Sequence, residues 1–284
     1  MKLTDDTTII REAASSGSVW KDLYDGPGMR LVRVDYGAGF RHPRNDHSYG
    51  EMTLIINGSL RERVGTREVE RGTLALTARR AGVEHACHWG DRGARVLSLE
   101  IDADFLPESE WKRVTRVPWT WVEGEDAARC LLRMCASAVQ GRLHLEADDL
   151  VLEALATVDD EPVVSRGSLP PWLARAREAR LECGPKPSTR DLAESAGMHP
   201  VHFARVFRRH LGCSPTELAR RSRIRTATDA LALAGHRDIG RVPYRCGYYD
   251  HSHMCRELRT SLGVTPSLLR MLSRPVRAAS GPRR

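Results

Sequence analysis

Arginine carries most of the chemistry this chain can offer. Only four of its 44 basic residues are lysine. From Pro171 onward 22 basic residues face nine acidic ones, a net of +13, whereas residues 1–170 hold 22 basic and 28 acidic residues, a net of −6. A guanidinium presents its donors in a rigid fork that matches phosphate oxygens and the O6/N7 edge of guanine. A basic half beside a mildly acidic one is the pattern of a polyanion-binding module joined to a module with another task. Charge alone leaves open an arginine-rich surface that is merely solvated.

The other reactive side chains are 11 histidines and seven cysteines. Cys87, Cys130, Cys135, Cys183, Cys213, Cys246 and Cys255 are odd in number and contain no CxxC, so reduced thiols are expected. Neither a P-loop nor a nucleophile elbow occurs, and enzyme chemistry is not expected. A length of 284 residues, 41% hydrophobic and 29% charged, suits about two globular domains. No run reaches the ~18 apolar residues of a membrane-spanning helix. The opening Met1-Lys2-Leu3-Thr4-Asp5-Asp6 turns acidic before any signal-type stretch, so a cytoplasmic protein with no membrane partner is expected.

The elements that must hold the arginines emerge from an internal repeat. Leu192-Ala193-x-x-Ala196-Gly197-Met198 is answered fifty residues on by Val242-Pro243-x-x-Cys246-Gly247-Tyr248. Arg205-x-Phe207 is answered by Arg256-x-Leu258, and Leu211-Gly212-x-Ser214-Pro215 by Leu262-Gly263-x-Thr265-Pro266. Each copy reads as a helix, a glycine able to take positive φ, and a second helix closed by glycine with proline three residues beyond. Ser188-x-x-Asp191 is a capping box, Pro200 suits the first helical position, and Asp250 can cap the second copy. Phe203, Val206, Phe207 and His210 fall at helical spacing and predict one buried face. The pattern is a helix-turn-helix, twice, whose second helix presents its N-terminal residues to a major groove. Between the copies, Thr216–Ala234 holds neither proline nor glycine and predicts a rod of about 28 Å, close to one turn of duplex at ~34 Å. So stiff a frame could require the DNA to bend.

Over about 100 residues, Trp172 to Arg270, the sequence resembles the DNA-binding domain of the AraC/XylS family of bacterial transcription regulators. The resemblance rests on Leu192-Ala193, Gly197-Met198-x-Pro200-x-His202-Phe203-x-Arg205-x-Phe207, Gly212-x-Ser214-Pro215, Arg223-Ile224-x-x-Ala227, Gly247-Tyr248-x-Asp250-x-Ser252 and Gly263-Val264-Thr265-Pro266. It implies a cytoplasmic transcription activator that binds double-stranded promoter DNA and recruits RNA polymerase. Carried over position by position, it places base contacts at Val201, His202, Ala204 and Arg205, and at His251, Ser252, His253, Cys255 and Arg256. Arg208, Arg209 and Arg259 then fall on phosphate, which positions without reading sequence. The competing reading for Arg205 and Arg256 is a salt bridge within the fold, for instance to Glu217 or Glu257. Two positions depart from the family: Pro243 stands where alanine is usual and should shorten its helix, and Leu258 replaces phenylalanine.

In the N-terminal half the period changes to two. Val32, Val34 and Tyr36, then Met52, Leu54 and Ile56, Leu74 and Leu76, and Leu97, Leu99 and Ile101 predict short strands parted by turns such as Asn57-Gly58 and Gly65-Thr66, hence an antiparallel barrel. Gly39-x5-Asn45-x-His47-x3-Glu51-x6-Gly58, with Gly72 and Gly82-x2-His85, resembles the two cupin motifs, which have histidine where Asn45 stands and proline where Arg80 stands. The resemblance implies a divalent-metal site at His47, Glu51 and His85 in metal-bearing relatives. With Asn45 in a ligand's place, a metal-free pocket for a small-molecule effector is the leading expectation, with no cofactor. Alternation puts His85 and Cys87 on one side of their strand and His88 on the other.

Glu125–Gln140 and Glu146–Val158 predict two helices that cover the barrel and, by resemblance, serve a homodimer. The expected fold class is α+β in two domains: a cupin-like antiparallel barrel with two helices, then an all-α bipartite helix-turn-helix domain. The expected boundaries are 1–160 for sensing and dimerisation, 161–171 for a linker, 172–274 for DNA binding, and 275–284 for a disordered basic tail. Two rivals remain: a metal-dependent cupin enzyme, or a thiol redox sensor using Cys87, Cys130 or Cys135, either one fused to a DNA-binding domain.

Overall fold

The computed structural model describes residues 10–12, 17–114, 117–158, 169–182, 187–233 and 239–275. Most of the expected linker and, save Pro275, the expected tail lie outside the described residues. The chain forms two compact units, Met1–Val163 together with Arg259–Arg284, and Val164–Leu258.

The first unit is built on one antiparallel sheet of nine strands. They are β1 (Ile10–Glu12), β2 (Ser18–Gly26), β3 (Met29–Tyr36), β4 (Arg41–Asn45), β5 (Gly50–Val64), β6 (Arg67–Gly72), β7 (Ala75–Arg79), β8 (His85–Ile101) and β9 (Trp119–Glu123). The main path runs β1-β2-β3-β8-β5-β7-β9, with β4 on β8 and β6 on β5. Val32, Val34, Ile55, Leu60, Val96 and Trp89 enter one core with Trp119 and Trp121. The expected strict alternation is corrected in β5 and β8: Leu54, Ile56, Leu97, Leu99 and Ile101 are buried as expected, but so are Ile55 and Val96 between them, because both faces of these strands are covered. His85 and Cys87 are buried while His88 is only partly so, as the strand period requires.

Asn57-Gly58 is not the turn its composition suggested. It lies inside β5, a strand of 15 residues, where pairing with β8 slips between Ile55 and Asn57 and again between Gly58 and Leu60. Gly58 takes φ 98°, and a Cβ there would collide with the Gly93 carbonyl. The pair is a bulge that bends one long strand. Gly65-Thr66 does form the expected turn, between β5 and β6. Sequence periodicity overlooked β2, β9 and α1 (Glu108–Val114).

Helices α2 (Glu125–Val139) and α3 (Leu143–Ala156) follow. Gly141 at φ 68° ends the first, so α3 begins three residues before the expected Glu146. Ala128, Leu131, Cys135, Leu150, Val151, Ala154 and Leu155 are buried, as their stripes predicted.

The remaining elements are α4 (Pro171–Leu181), α5 (Thr189–Ser195), α6 (Pro200–Leu211), α7 (Pro215–Leu233), α8 (Val242–Arg245), α9 (His251–Leu262) and α10 (Pro266–Ser273). Around α4, α5 and α6 a compact core gathers Leu173, Leu192, Ala193, Phe203 and Phe207. His210 is exposed and Val206 only half-buried, which corrects the expected four-residue stripe: two phenylalanines suffice to anchor α6. α7 has 19 residues, matching the expected rod. Among the described residues no helix is long and apolar enough to cross a membrane.

Candidate functional site

The first helix-turn-helix is assembled by local rules. Ser188 accepts from the Asp191 backbone N–H at 3.1 Å, and Asp191 accepts from the Ser188 N–H at 2.7 Å, closing the expected capping box. Gly197 turns the chain at φ 66°. His199 Nδ1 then accepts from Val201 N–H at 3.3 Å with Pro200 at the first helical position, and α6 ends on Gly212 at φ 73°.

With Phe203 and Phe207 buried, α6 turns the opposite face to solvent. Val201, His202, Arg205, Arg208 and Arg209 are exposed there and Ala204 is half-buried. Val201 is 62% exposed although apolar, a surface suited to a thymine methyl. The acids that could have neutralised the arginines are engaged elsewhere: Glu217 pairs with Arg221 and Glu257 with Arg223.

The second helix-turn-helix departs as Pro243 predicts. Its first helix, α8, is four residues long and is preceded by a single 3-10 turn at Ile239–Arg241. Asp250 Oδ1 accepts from His253 N–H at 2.7 Å, the expected cap of α9. His251, Ser252, Arg256 and Arg259 are exposed. The Cys255 thiol is half-buried, 3.4 Å from His251 Nδ1. His253 is less available: its ring meets Tyr248 edge-on at 5.3 Å, and its Nδ1 accepts from Tyr249 N–H at 3.4 Å.

Sequence reasoning gave no task to Arg223, although it sits in a quoted motif. From α7 it donates to both Glu257 oxygens on α9, Nε at 3.0 Å and Nη2 at 2.6 Å, and its guanidinium lies 5.2 Å from the centre of the Tyr248 ring. Burial pushes the Glu257 carboxyl up, but the hydrogen bonds and charge of Arg223 outweigh it and hold it below the ordinary carboxylate value. Tyr244 of α8 and Tyr249, two residues before α9, are 67% and 85% exposed and were also overlooked.

In the first unit, β2, β3, β4, β5, β7 and β8 enclose a cleft with about 520 Å³ of empty space, its open mouth included. His47, Glu51 and His85 all line it, with Trp20, Tyr36, Tyr49, Trp89 and Arg79 among their neighbours. The imidazole centres of His47 and His85 are 5.3 Å apart. The three residues of the metal expectation therefore share one cavity, yet they do not fit a metal. Glu51 Oε1 accepts from Thr53 Oγ1 at 2.7 Å and from Ser98 Oγ, while Oε2 accepts from Arg79. Arg79 also donates to Glu62, whose Oε2 accepts from Thr77 Oγ1 at 2.9 Å and Trp119 Nε1 at 2.6 Å. A guanidinium thus stands on the carboxylate a metal would need. Among the described residues no group of three or more His, Cys, Asp or Glu side chains is placed to hold a metal ion.

Burial raises the Glu51 carboxyl, and the Arg79 charge with the donors around it more than reverses this, down to about 2. Burial, then Arg79, lowers the His47 and His85 imidazoles, although carboxylates nearby oppose this. Burial also drives the Cys87 thiol up to about 12, Cys130 to about 11 and Cys135 to about 12, so the three cysteines of the redox alternative are held as thiols.

A family model described as a helix-turn-helix domain matches residues 192–271. No curated protein matches the chain. Among solved structures it is similar to oxalate decarboxylase of Bacillus subtilis, with 18% identity over 34% of this chain and 28% of that one at a TM-score of 0.31. Another is an RmlC-like cupin of Shewanella frigidimarina, with 14% identity over 36% of this chain and 93% of that one at 0.32. The cupin domain of Schizosaccharomyces pombe Cnp3 shares 11% identity over 37% of this chain and 76% of that one, also at 0.32. The chain thus spans little more than a quarter of the oxalate decarboxylase and most of the two cupins. With its two capped turns, its exposed arginines and the match over 192–271, the C-terminal part of this chain is a DNA-binding domain of the AraC helix-turn-helix family, which makes the protein a DNA-binding transcription regulator.

Proposed function

We propose that the protein is a ligand-responsive transcription activator that reads two successive major-groove segments of promoter DNA, one with α6 and one with α9. The observation that carries this reading is the pair of equivalent helices, each opening after a glycine turn and each turning an arginine, Arg205 or Arg256, to solvent. α7 supplies a stiff spacer of about 28 Å, near one turn of duplex. Two readers on one chain suit an asymmetric site, so no palindrome is required.

The cavity of the sheet is the place for an effector, which acts by preferring one conformer of the chain. Contact with RNA polymerase and a homodimer through α2 and α3 complete the reading.

Footprinting of the full chain on genomic fragments recovered by its own binding tests the reading. Two protected patches about 34 Å apart on one face are expected. One patch, or two separated by a half turn, would sink it.

A further inference from the structure

We infer that the cavity takes a small organic cation, an ammonium group on an apolar or aromatic body, and discriminates against carboxylates. The inference rests on the reading of this cavity as the effector site and names the chemistry of that effector.

Charge counting is the first argument. Glu51, Glu62 and Arg79 form one buried cluster, so two carboxylates share a single guanidinium and one negative charge is left over. The excess is spread over hydroxyl and indole donors from Thr53, Ser98, Thr77 and Trp119, and among the described residues the ion pairs of both carboxylates are with Arg79. A buried charge keeps its field because little water screens it.

The walls supply the second argument. Four aromatic rings, Trp20, Tyr36, Tyr49 and Trp89, line the cavity, with Tyr36 and Trp89 stacked at 3.9 Å. Aromatic faces attract ammonium groups through the ring quadrupole, the more so out of water.

The third is the set of acceptors. His85 Nδ1 lies 3.0 Å from the Val83 carbonyl, which can only accept, so Nδ1 carries the proton and Nε2 of the neutral ring is a lone-pair acceptor. Glu51, with three donors on two oxygens, has room for one more. These groups ask for N–H donors from a ligand. A carboxylate ligand finds no uncommitted cation: among the described residues Arg79 is the only arginine or lysine lining the cavity, and its Nη1 and Nη2 are committed to Glu62 and Glu51.

Calorimetric titration of the full chain in the absence of DNA tests the inference with three probes of like size, 2-phenylethylamine, 3-phenylpropanoate and 2-phenylethanol, and with zinc alone. The amine is expected to bind saturably, and at least about tenfold more tightly than either of the others. Glu51→Gln should weaken the amine about tenfold, and Trp20→Leu, at the half-exposed rim, should weaken it severalfold even if the first variant fails to fold. No saturable amine binding, equal binding of amine and alcohol, a preference for the carboxylate, or zinc that the amine displaces would each overturn it. Amine binding that leaves the DNA footprint unchanged would support the inference while sinking the ligand-responsive part of the proposed function, so the two fail separately.

Discussion

Arg223 of α7 and Glu257 of α9 share two parallel hydrogen bonds, 3.0 and 2.6 Å long, in a setting where their side chains keep only 24% and 13% of their exposure. Such a fork-on-fork pair fixes angle as well as distance. It ties α9 to α7, the helix that follows the first helix-turn-helix. It also offsets α8, which with four residues offers α9 little surface.

Arg223→Ala should therefore lower stability by about 1–3 kcal/mol, because it leaves a partly buried carboxylate without its partner. The loss should appear as a lower urea midpoint at unchanged slope. DNA protection should weaken at the α9 half-site and persist at the α6 half-site. Equal loss at both halves would show that the pair serves general folding only.

Arg205 and Arg209 lie on the same exposed face of α6 and are expected to behave differently. Arg205→Ala should cost about 1–3 kcal/mol on the preferred operator and relax preference at one base pair. Arg209→Ala should weaken all sequences alike and flatten the dependence of affinity on salt by about one unit of slope. Titrations on matched and mutated operators at several salt concentrations separate the two, and indistinguishable behaviour would remove both assignments.

Cys87, Cys130 and Cys135 are buried thiols held far above neutral by burial. An alkylating reagent applied to the native chain should leave all three unmodified until denaturant is added, and Cys255, half-buried on α9, should be labelled before them. Mass mapping of the labelled peptides gives the answer. Rapid native labelling of any of the three would restore the redox alternative.

The sequence revealed these parts unequally, for a physical reason. Caps and turns depend on neighbours within four residues, so Ser188, Gly197, Pro200, Gly212 and Asp250 could be placed from spacing alone. Pro243 foretold a short α8 because a missing N–H acts where it sits. Arg79 gave no such sign, since its partners Glu51 and Glu62 lie 28 and 17 residues away along the chain and meet it only through strand pairing. The same holds for Arg223 and Glu257, 34 residues apart. Asn57-Gly58 misled because a bulge and a hairpin turn use the same residues, and only the pairing of the flanking strand tells them apart.

Arg79 is the keystone of the cavity, 6% exposed between two carboxylates. Arg79→Met should cost about 3–5 kcal/mol, since it leaves Glu51 and Glu62 buried without compensation. The acid limb should move too. Glu51 has a folded value near 2, so in the native protein its contribution is complete above the ordinary 4.5 and fades as pH falls toward 2. In the variant, where burial is no longer offset by Arg79, this loss of stability on acidification should shrink or reverse. Urea midpoints across the acid range test both points, and an unshifted acid limb would remove Arg79 as its cause.

Glu100 should titrate in the opposite sense. It stands directly across from Glu51 in the β5–β8 register, and burial raises its carboxyl to about 7, with the Arg30 pair at 3.4 Å too weak to bring it back and the Glu51 charge adding to the rise. Glu51 keeps its charge beside Arg79, so the cross-strand neighbour is the one that holds a proton. A folded value above the unfolded one means that the native chain binds more protons between 4.5 and 7. Stability from this group is therefore full below 4.5 and is lost as pH rises through 7. Glu100→Gln removes the ionisation, so the variant and the parent should differ little in acid, and the variant should gain relative stability as pH rises. Paired urea titrations along the pH scale read the difference, and a gap that narrows as pH rises would place the proton elsewhere.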